Sequence, residues 1–369
     1  MSTNTEPISS LQIPDLVSDT IPPQPPAELP FVSVVMPCRN EEKHIRECLN
    51  SILANDYPHD RLEILVVDGM SQDRTREIVG EISKKYPFVR LVDNPRRIIP
   101  VAMNVGIANA LGSTIIKMDG HSTYQPHHIS RCVAYQEKYG AENVGGVWRM
   151  VPGSDTTAAR AIVLALGHKF GSGNAKVKVG VSKPTWSDTT AFGCFKKDMF
   201  AKVGLYDERL ASSSDIELNY RIRRFGGRIL IVPDVVIDYR ADANIKAYWK
   251  HLFADGVWAT YVLKFVRKAW SWRHWVPLGF ILSLLVPLAL SVFYHRAWLV
   301  SVAILSVYLA VNISVSAAIA IKERSLKLFA WLPLVFAIRH IAHGLGALLG
   351  LVLVVTPGTH WKGRRGAKV

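Results

Sequence analysis

Two runs with no charged residue, Trp275 to Tyr294 and Ala297 to Ile321, limit what this chain can fold into more than any other feature. About 20 apolar residues in a row cross the ~30 Å hydrocarbon core of a bilayer, where a helix satisfies its own backbone. Two membrane helices are therefore expected, one leading outward and one returning. The turn after them, Lys322-Glu323-Arg324-Ser325-Leu326-Lys327, is basic and belongs on the cytoplasmic side. Leu328 to Thr356 is long enough for a third crossing, yet Arg339, His340 and His343 interrupt it. Ionisable groups at membrane depth usually face protein or headgroups. A third crossing would also leave Lys362, Arg364, Arg365 and Lys368 of the basic tail 357–369 outside, so a re-entrant or interfacial course stands as the alternative.

The net charge of +14 invites a nucleic-acid reading until its position is considered. From Arg240 onward there are 16 Lys/Arg and 3 Asp/Glu, which leaves the preceding residues close to neutral. Basic residues beside membrane runs read as anionic-lipid contacts and topology signals, whereas a nucleic-acid patch belongs on a soluble domain. Within 239–274, Arg240, Lys246, Lys250, Lys264, Arg267, Lys268 and Arg273 alternate with Trp249, Phe253, Trp258, Tyr261, Phe265, Trp270 and Trp272. That interleaving suits helices lying in the headgroup layer, with an amphipathic helix packed on the preceding domain as the alternative.

Upstream, residues 1–30 read as a flexible Pro-rich tail without the apolar core of a signal peptide, so the following domain is expected to stay in the cytoplasm. Cys38, Cys48, Cys132 and Cys194 form no C-x-x-C pair and read as buried thiols of a reducing compartment. Phe31 to Met36, Leu62 to Val67, Phe88 to Val92 and Ser113 to Met118 have the β-branched, apolar character of buried strands. Between them, Glu41 to Ala54, Ser71 to Tyr86 and Pro100 to Ala110 carry apolar residues at helical spacing. This alternation predicts a doubly wound, mostly parallel α/β sheet over 31–238. A further strand is expected at Val144 to Met150, then a long surface excursion over 152–190 around a helix at Thr156 to His168.

In such sheets ligands lie beyond the carboxyl ends of the strands. Three polar clusters fall there: Pro37-Cys38-Arg39-Asn40-Glu41, Asp68-Gly69-Met70-Ser71-Gln72-Asp73 and Asp119-Gly120-His121. No G-x-G-x-x-G follows the first strand and no G-x-x-x-x-G-K-[ST] occurs, so a nucleotide would be held by carboxylates and a metal. Asp119 and His121 can face one divalent ion, or His121 can cap Ser122 to Tyr124. Asp188 to Gly193 is a candidate cleft lining. Ser212-Ser213-Ser214-Asp215 reads as a helix N-cap, with Leu218, Ile222 and Phe225 as the apolar face behind it. Asp215 is then either a helix-start residue or a general base.

These residues resemble the inverting glycosyltransferases of family 2, which have a GT-A fold, over roughly Phe31 to Trp258. The resemblance rests on Pro37-x-x-Asn40-Glu41, Asp68-Gly69-x-Ser71-x-Asp73-x-Thr75, Asn104-x-Gly106, Gly112, Asp119-x-His121, Val203-Gly204-x-x-Asp207-Glu208 and Asp215-x-Glu217-Leu218-x-x-Arg221, in that order. With the C-terminal membrane segments, the chain is most similar to succinoglycan-type exopolysaccharide glycosyltransferases. The resemblance implies a nucleotide sugar held by Pro37, Arg39, Asn40, Glu41, Asp68, Asn104 and Asp119, with Mn²⁺ or Mg²⁺ on Asp119 and His121. It implies Asp215 as the base that deprotonates the acceptor hydroxyl, and Asp188, Gly193, Glu217, Arg221 and Arg240 as acceptor-side candidates. His121 stands where the family usually has Asp, and Ser214 where it usually has Glu.

The donor implied is a UDP-sugar, UDP-glucose by resemblance. The acceptor inferred from location is a polyprenyl-diphosphate-linked saccharide at the inner membrane, with other polysaccharide-assembly proteins as possible partners. No Q-x-x-R-W motif is present, which favours addition of one sugar. The rival readings are a nucleotidyltransferase, whose Gly-rich first loop is missing, and a catalytically silent membrane scaffold of the same fold.

Overall fold

The computed structural model describes residues 22–190, 192–268 and 270–356; most of the expected N-terminal tail and the whole basic tail 357–369 lie outside them. The first half alternates as the apolar pattern requires: β1 (Val32–Cys38), α1 (Ile45–Leu53), β2 (Leu62–Asp68), α2 (Thr75–Lys85), β3 (Val89–Asp93), α3 (Ile99–Asn109) and β4 (Thr114–Lys117). β1 and β2 are buried on both faces, as central parallel strands are. Alternate strand residues serve opposite cores. Val34, Met36 and Ile64 meet α1 and α2, while Val35, Leu65 and Ile115 meet α3 on the other face. Gly106 of α3 is needed there, because a Cβ would lie 2.2 Å from Val35 Cγ1.

The chain then continues through β5 (Thr123–Tyr124), α4 (His128–Tyr139), β6 (Asn143–Val151), α5 (Thr157–Gly167), α6 (Lys169–Ser172), α7 (Lys176–Val179), β7 (Thr185–Ser187), β8 (Cys194–Lys196), α8 (Lys197–Val203), α9 (Ser214–Arg224) and β9 (Ile229–Arg240). The strand order is β3-β2-β1-β4-β8-β6-β9-β5, with β7 also on β9. The first four strands are parallel, β8 runs antiparallel between β4 and β6, and β6 pairs parallel with β9. The sheet is therefore mixed, and its parallel half carries the three polar clusters.

Three further helices follow α10 (Ile245–Tyr261): α11 (Trp272–Leu290), α12 (Trp298–Lys322) and α13 (Leu326–Val355), each long and apolar enough to cross a membrane. Val300, Val307, Val311 and Ile313 of α12 are exposed apolar residues, as a lipid-facing helix requires. α13 is one continuous helix, and its first half is different. Leu328, Leu332, Val335 and Phe336 are buried with Ile162, Leu166, Tyr248 and Leu252 of α5 and α10. The residues that interrupt its apolar run face protein: Arg339 Nε donates to the Gly171 carbonyl at 2.5 Å, and His340 lies between the Phe170 carbonyl (2.8 Å) and the Tyr308 hydroxyl (2.9 Å). Arg160 of α5 pairs with Glu323 at 2.6 Å, which puts the turn between α12 and α13 beside the sheet domain.

Candidate active site

The ends of β1 and β2 are laced together by the residues of the first two clusters. The Asn40 amide donates to Ser71 Oγ (2.8 Å), the Gln72 amide to Asn40 Oδ1 (2.9 Å) and the Glu41 amide to Thr75 Oγ1 (2.7 Å). Asn40 and Met70 both have φ of 57°, a conformation Asn tolerates better than most residues. Asp68 is fully buried and its carboxylate is used inside the chain. It accepts from the Ser71 amide (2.9 Å), the Ser71 hydroxyl and Arg76 Nη1 (2.7 Å). Arg39 crosses the face of Gly69, where a Cβ would meet its Cδ at 3.1 Å, and its buried Nε has no hydrogen-bond partner.

Beyond β4 the backbone of Asp119 is pinned. Its amide donates to the Tyr124 hydroxyl (2.7 Å), and its carbonyl accepts from Cys48 Sγ (3.3 Å). The side chain is thereby presented next to His121, whose Nδ1 lies 3.9 Å from Glu41 Oε1. Asp119 Oδ1 and His121 Nδ1 are both buried and have no hydrogen-bond partner. A buried carboxylate oxygen and a buried imidazole nitrogen, two residues apart in the chain and each without a hydrogen-bond partner, fit a divalent cation. Among the described residues no three His, Cys, Asp or Glu side chains converge on a point, so such an ion would need further oxygens from a ligand. His121 does not act as a cap.

Asp215 stands in the first turn of α9, behind Ser213 at φ 58°. Ser213 makes no side-chain cap, contrary to the expected N-cap signature, because its left-handed backbone starts the helix without one. Phe225 is 66% exposed and does not join the apolar face that Leu218 and Ile222 form. Burial pushes the Asp215 carboxyl above its ordinary range, and the positive charge of Lys117 opposes that shift. Lys117 also lies 3.9 Å from Asp119 Oδ1, so one ammonium acts on both carboxylates.

Four residues expected at the cleft are engaged within the protein. Asn104 Nδ2 donates to the Tyr206 carbonyl (3.0 Å) and to Glu208 (3.0 Å), while the Tyr206 amide donates back to Asn104 Oδ1 (2.9 Å). Glu217 and Arg221 form a two-pronged pair (2.6 and 2.7 Å), and the guanidinium also donates to the carbonyls of Val203, Gly204 and Leu205. Asp188 accepts from Ser271 and from Arg273 at 2.6 Å, tying the excursion to the start of α11. Gly193 is needed because a Cβ would lie 2.2 Å from Asn143 Oδ1. Pro37 is buried in β1, and Arg240 ends β9 on the exposed rim, close enough to His44 for its charge to lower the imidazole after burial has done so. His121 acts on His44 in the same sense.

His44 and Lys117 escaped the sequence reading. His44 is hidden in a charged loop, and Lys117 is the last residue of an otherwise apolar strand, so neither has a spacing signal. The four cysteines are all buried and free, as expected.

A mixed sheet with its polar groups at the carboxyl ends of parallel strands is the architecture of the GT-A fold. The fold matches the structure of the mannosyltransferase PcManGT from Pyrobaculum calidifontis in complex with GDP-Man and Mn²⁺, with a TM-score of 0.56 and 21% identity over 88% of this chain and 89% of that one. Residues 33–203 match the family model Glycosyl transferase family 2. The chain carries that family's domain and is a glycosyltransferase that uses a nucleotide sugar. Dolichyl N-acetyl-alpha-D-glucosaminyl phosphate 3-beta-D-2,3-diacetamido-2,3-dideoxy-beta-D-glucuronosyltransferase of Methanococcus voltae is 26% identical over 264 residues, 69% of this chain and 80% of that protein. Succinoglycan biosynthesis protein ExoA of Rhizobium meliloti (strain 1021) is 29% identical over 221 residues, 59% of this chain and 66% of that protein.

Proposed function

We propose that the protein transfers one hexose from a UDP-sugar, UDP-glucose by resemblance, to a polyprenyl-linked saccharide at the cytoplasmic face of the inner membrane, with inversion at the anomeric carbon. The observation that carries this reading is the orphaned pair Asp119 Oδ1 and His121 Nδ1, joined through Lys117 to a carboxylate kept basic by burial, Asp215. The nucleotide lies across the laced loops 39–42 and 69–74. Arg39 and Asn40 face it directly, and Asp68 positions Asn40 through Ser71 without reaching the base. Asp119 and His121 would hold Mn²⁺ or Mg²⁺, which would supply positive charge against the departing diphosphate. Lys117 and Arg240 add fixed positive charge on the same side.

On the opposite side, Asp215 accepts the proton of the incoming hydroxyl. A raised pKa makes it a stronger base than an exposed carboxylate. One displacement inverts the centre, so an α-linked donor yields a β-linked product. The membrane helices, and relatives whose names refer to a dolichyl-phosphate-linked sugar and to succinoglycan, support a lipid-linked acceptor in exopolysaccharide or cell-envelope glycan synthesis. α11, α12 and α13 are the proposed crossings, with α10 lying near the headgroups.

The test is nucleotide release by detergent-purified protein across a panel of UDP- and GDP-sugars with Mn²⁺, Mg²⁺ or chelator. Metal-dependent release with one donor, abolished in transfer assays by Asp215→Asn, is expected. Absence of release and of nucleotide binding with every donor overturns the reading in favour of a silent scaffold.

A further inference from the structure

On the membrane side of Asp215, three segments outside the rim already described close around a second polar centre. α7 contributes Lys178, α10 contributes His251 and Asp255, and α13 contributes Arg339 and His343. Lys178 senses the charges of Arg339, Asp255, Asp215 and Arg273, and its Nζ lies 5.5 Å from the ring centre of Trp148. His251 Nδ1 is 2.9 Å from Asp242 and its Nε2 is 3.7 Å from Asp255. His251 and Asp255 keep 39% and 40% of their side-chain surfaces open, so solvent reaches this cluster.

The cluster is held in shape by backbone contact. A Cβ on Gly256 would lie 2.1 Å from the His343 carbonyl, and one on Gly346 would lie 2.1 Å from the Phe253 carbonyl. No side chain can enter that seam, and α10 and α13 are locked side by side. The charge balance inside is uneven. Asp255, before Asp242, raises the His251 imidazole, so the Asp255 carboxylate is already turned toward this ring. Arg273 is already committed to Asp188. Lys178 and Arg339 are left with no carboxylate in salt-bridge contact among the described residues; Arg339 gives its Nε to the Gly171 carbonyl and has the Tyr248 hydroxyl beside it, and Lys178 rests over an indole. Two cations with no carboxylate in contact, beside the membrane helices and with Lys178 in electrostatic reach of the proposed base, can take up an anion.

We propose that Lys178 and Arg339 bind the phosphate that joins the acceptor's sugar to its lipid. This rests on the transferase reading above and extends it by naming the acceptor's anchor point. The phosphate would sit between α7 and α13, its lipid chain leaving along the membrane helices and its sugar pointing toward Asp215. A phosphate here is distinct from the donor's diphosphate, which belongs to the Asp119 and His121 side of the sheet.

The probes are geranylgeranyl diphosphate, geranylgeraniol and inorganic pyrophosphate, each titrated against the full-length protein in detergent, with UDP binding measured in parallel. The lipid diphosphate is expected to bind more tightly than either of the others. Lys178→Gln should weaken it by roughly tenfold or more, as loss of a charge-assisted hydrogen bond does, while Lys178→Arg retains binding and UDP affinity is unchanged in both. Arg339→Gln should act in the same direction; because it also removes the bond to Gly171, Lys178 is the deciding position. Equal binding of geranylgeraniol, equal binding of free pyrophosphate, or indifference to Lys178→Gln overturns the proposal. Wild-type protein that binds the lipid diphosphate but no nucleotide sugar would sink the transferase reading and leave this site standing.

Discussion

At the residue scale the chemistry depends on how few charges share the cleft. Replacing Asp215 by Asn should reduce sugar transfer about 10²- to 10⁴-fold, the usual contribution of a positioned base, with donor binding intact by titration calorimetry. Because its carboxyl is raised by burial, activity is lost as the pH falls through a value above that of an ordinary Asp. Lys117→Met removes the charge that opposes this, so the acid limb of the kcat/KM profile should move to higher pH. An unchanged limb would mean that Asp215 is not the titrating group. Asp119, His121 and Asp215 were legible in the sequence because polar residues at strand and helix ends stand out against apolar runs. Glu217 and Arg221 were expected on the acceptor side, and their mutual clamp was not read: an acid and a base four residues apart look the same whether they face a ligand or hold a neighbouring turn.

At the element scale, alternation of apolar runs disclosed the parallel half of the sheet almost residue for residue. β9 went unread because Pro233 sits inside it, and proline argues against a central strand. The structure accommodates it at an irregularity, where the β6 register jumps between Gly145 and Val147. β7 and β8 are three residues each, too short for a period to show. Asn104 joins α3 to the loop after α8, so Asn104→Ala should cost about 1–3 kcal/mol through unpaired polar groups, read as a lower melting midpoint, with nucleotide affinity unaltered. Gly106→Val should be worse, since its first added carbon already overlaps Val35; overpacking of this kind costs about 1–3 kcal/mol or more, and a Val35→Ala partner should recover part of it in the same melt.

At the scale of the whole molecule, length and hydropathy announced the membrane helices, but not that one of them would also serve the sheet domain. Arg339, His340 and His343 looked like interruptions in a span because a linear pattern cannot show what a helix face meets. Charge reversal at the other end of this contact offers a check. Arg160→Glu or Glu323→Arg alone should destabilise the protein by about 1 kcal/mol, and the double swap should restore it, giving a measurable coupling in a double-mutant cycle.

The glycine seam between α10 and α13 has a mechanical consequence. With two backbones in direct contact and no side chain between them as a cushion, α10 and α13 move as one body. On the proposed transferase reading, such a rigid stem would hold the catalytic rim at one altitude over the bilayer, and acceptors one ring shorter or longer should be poorer substrates.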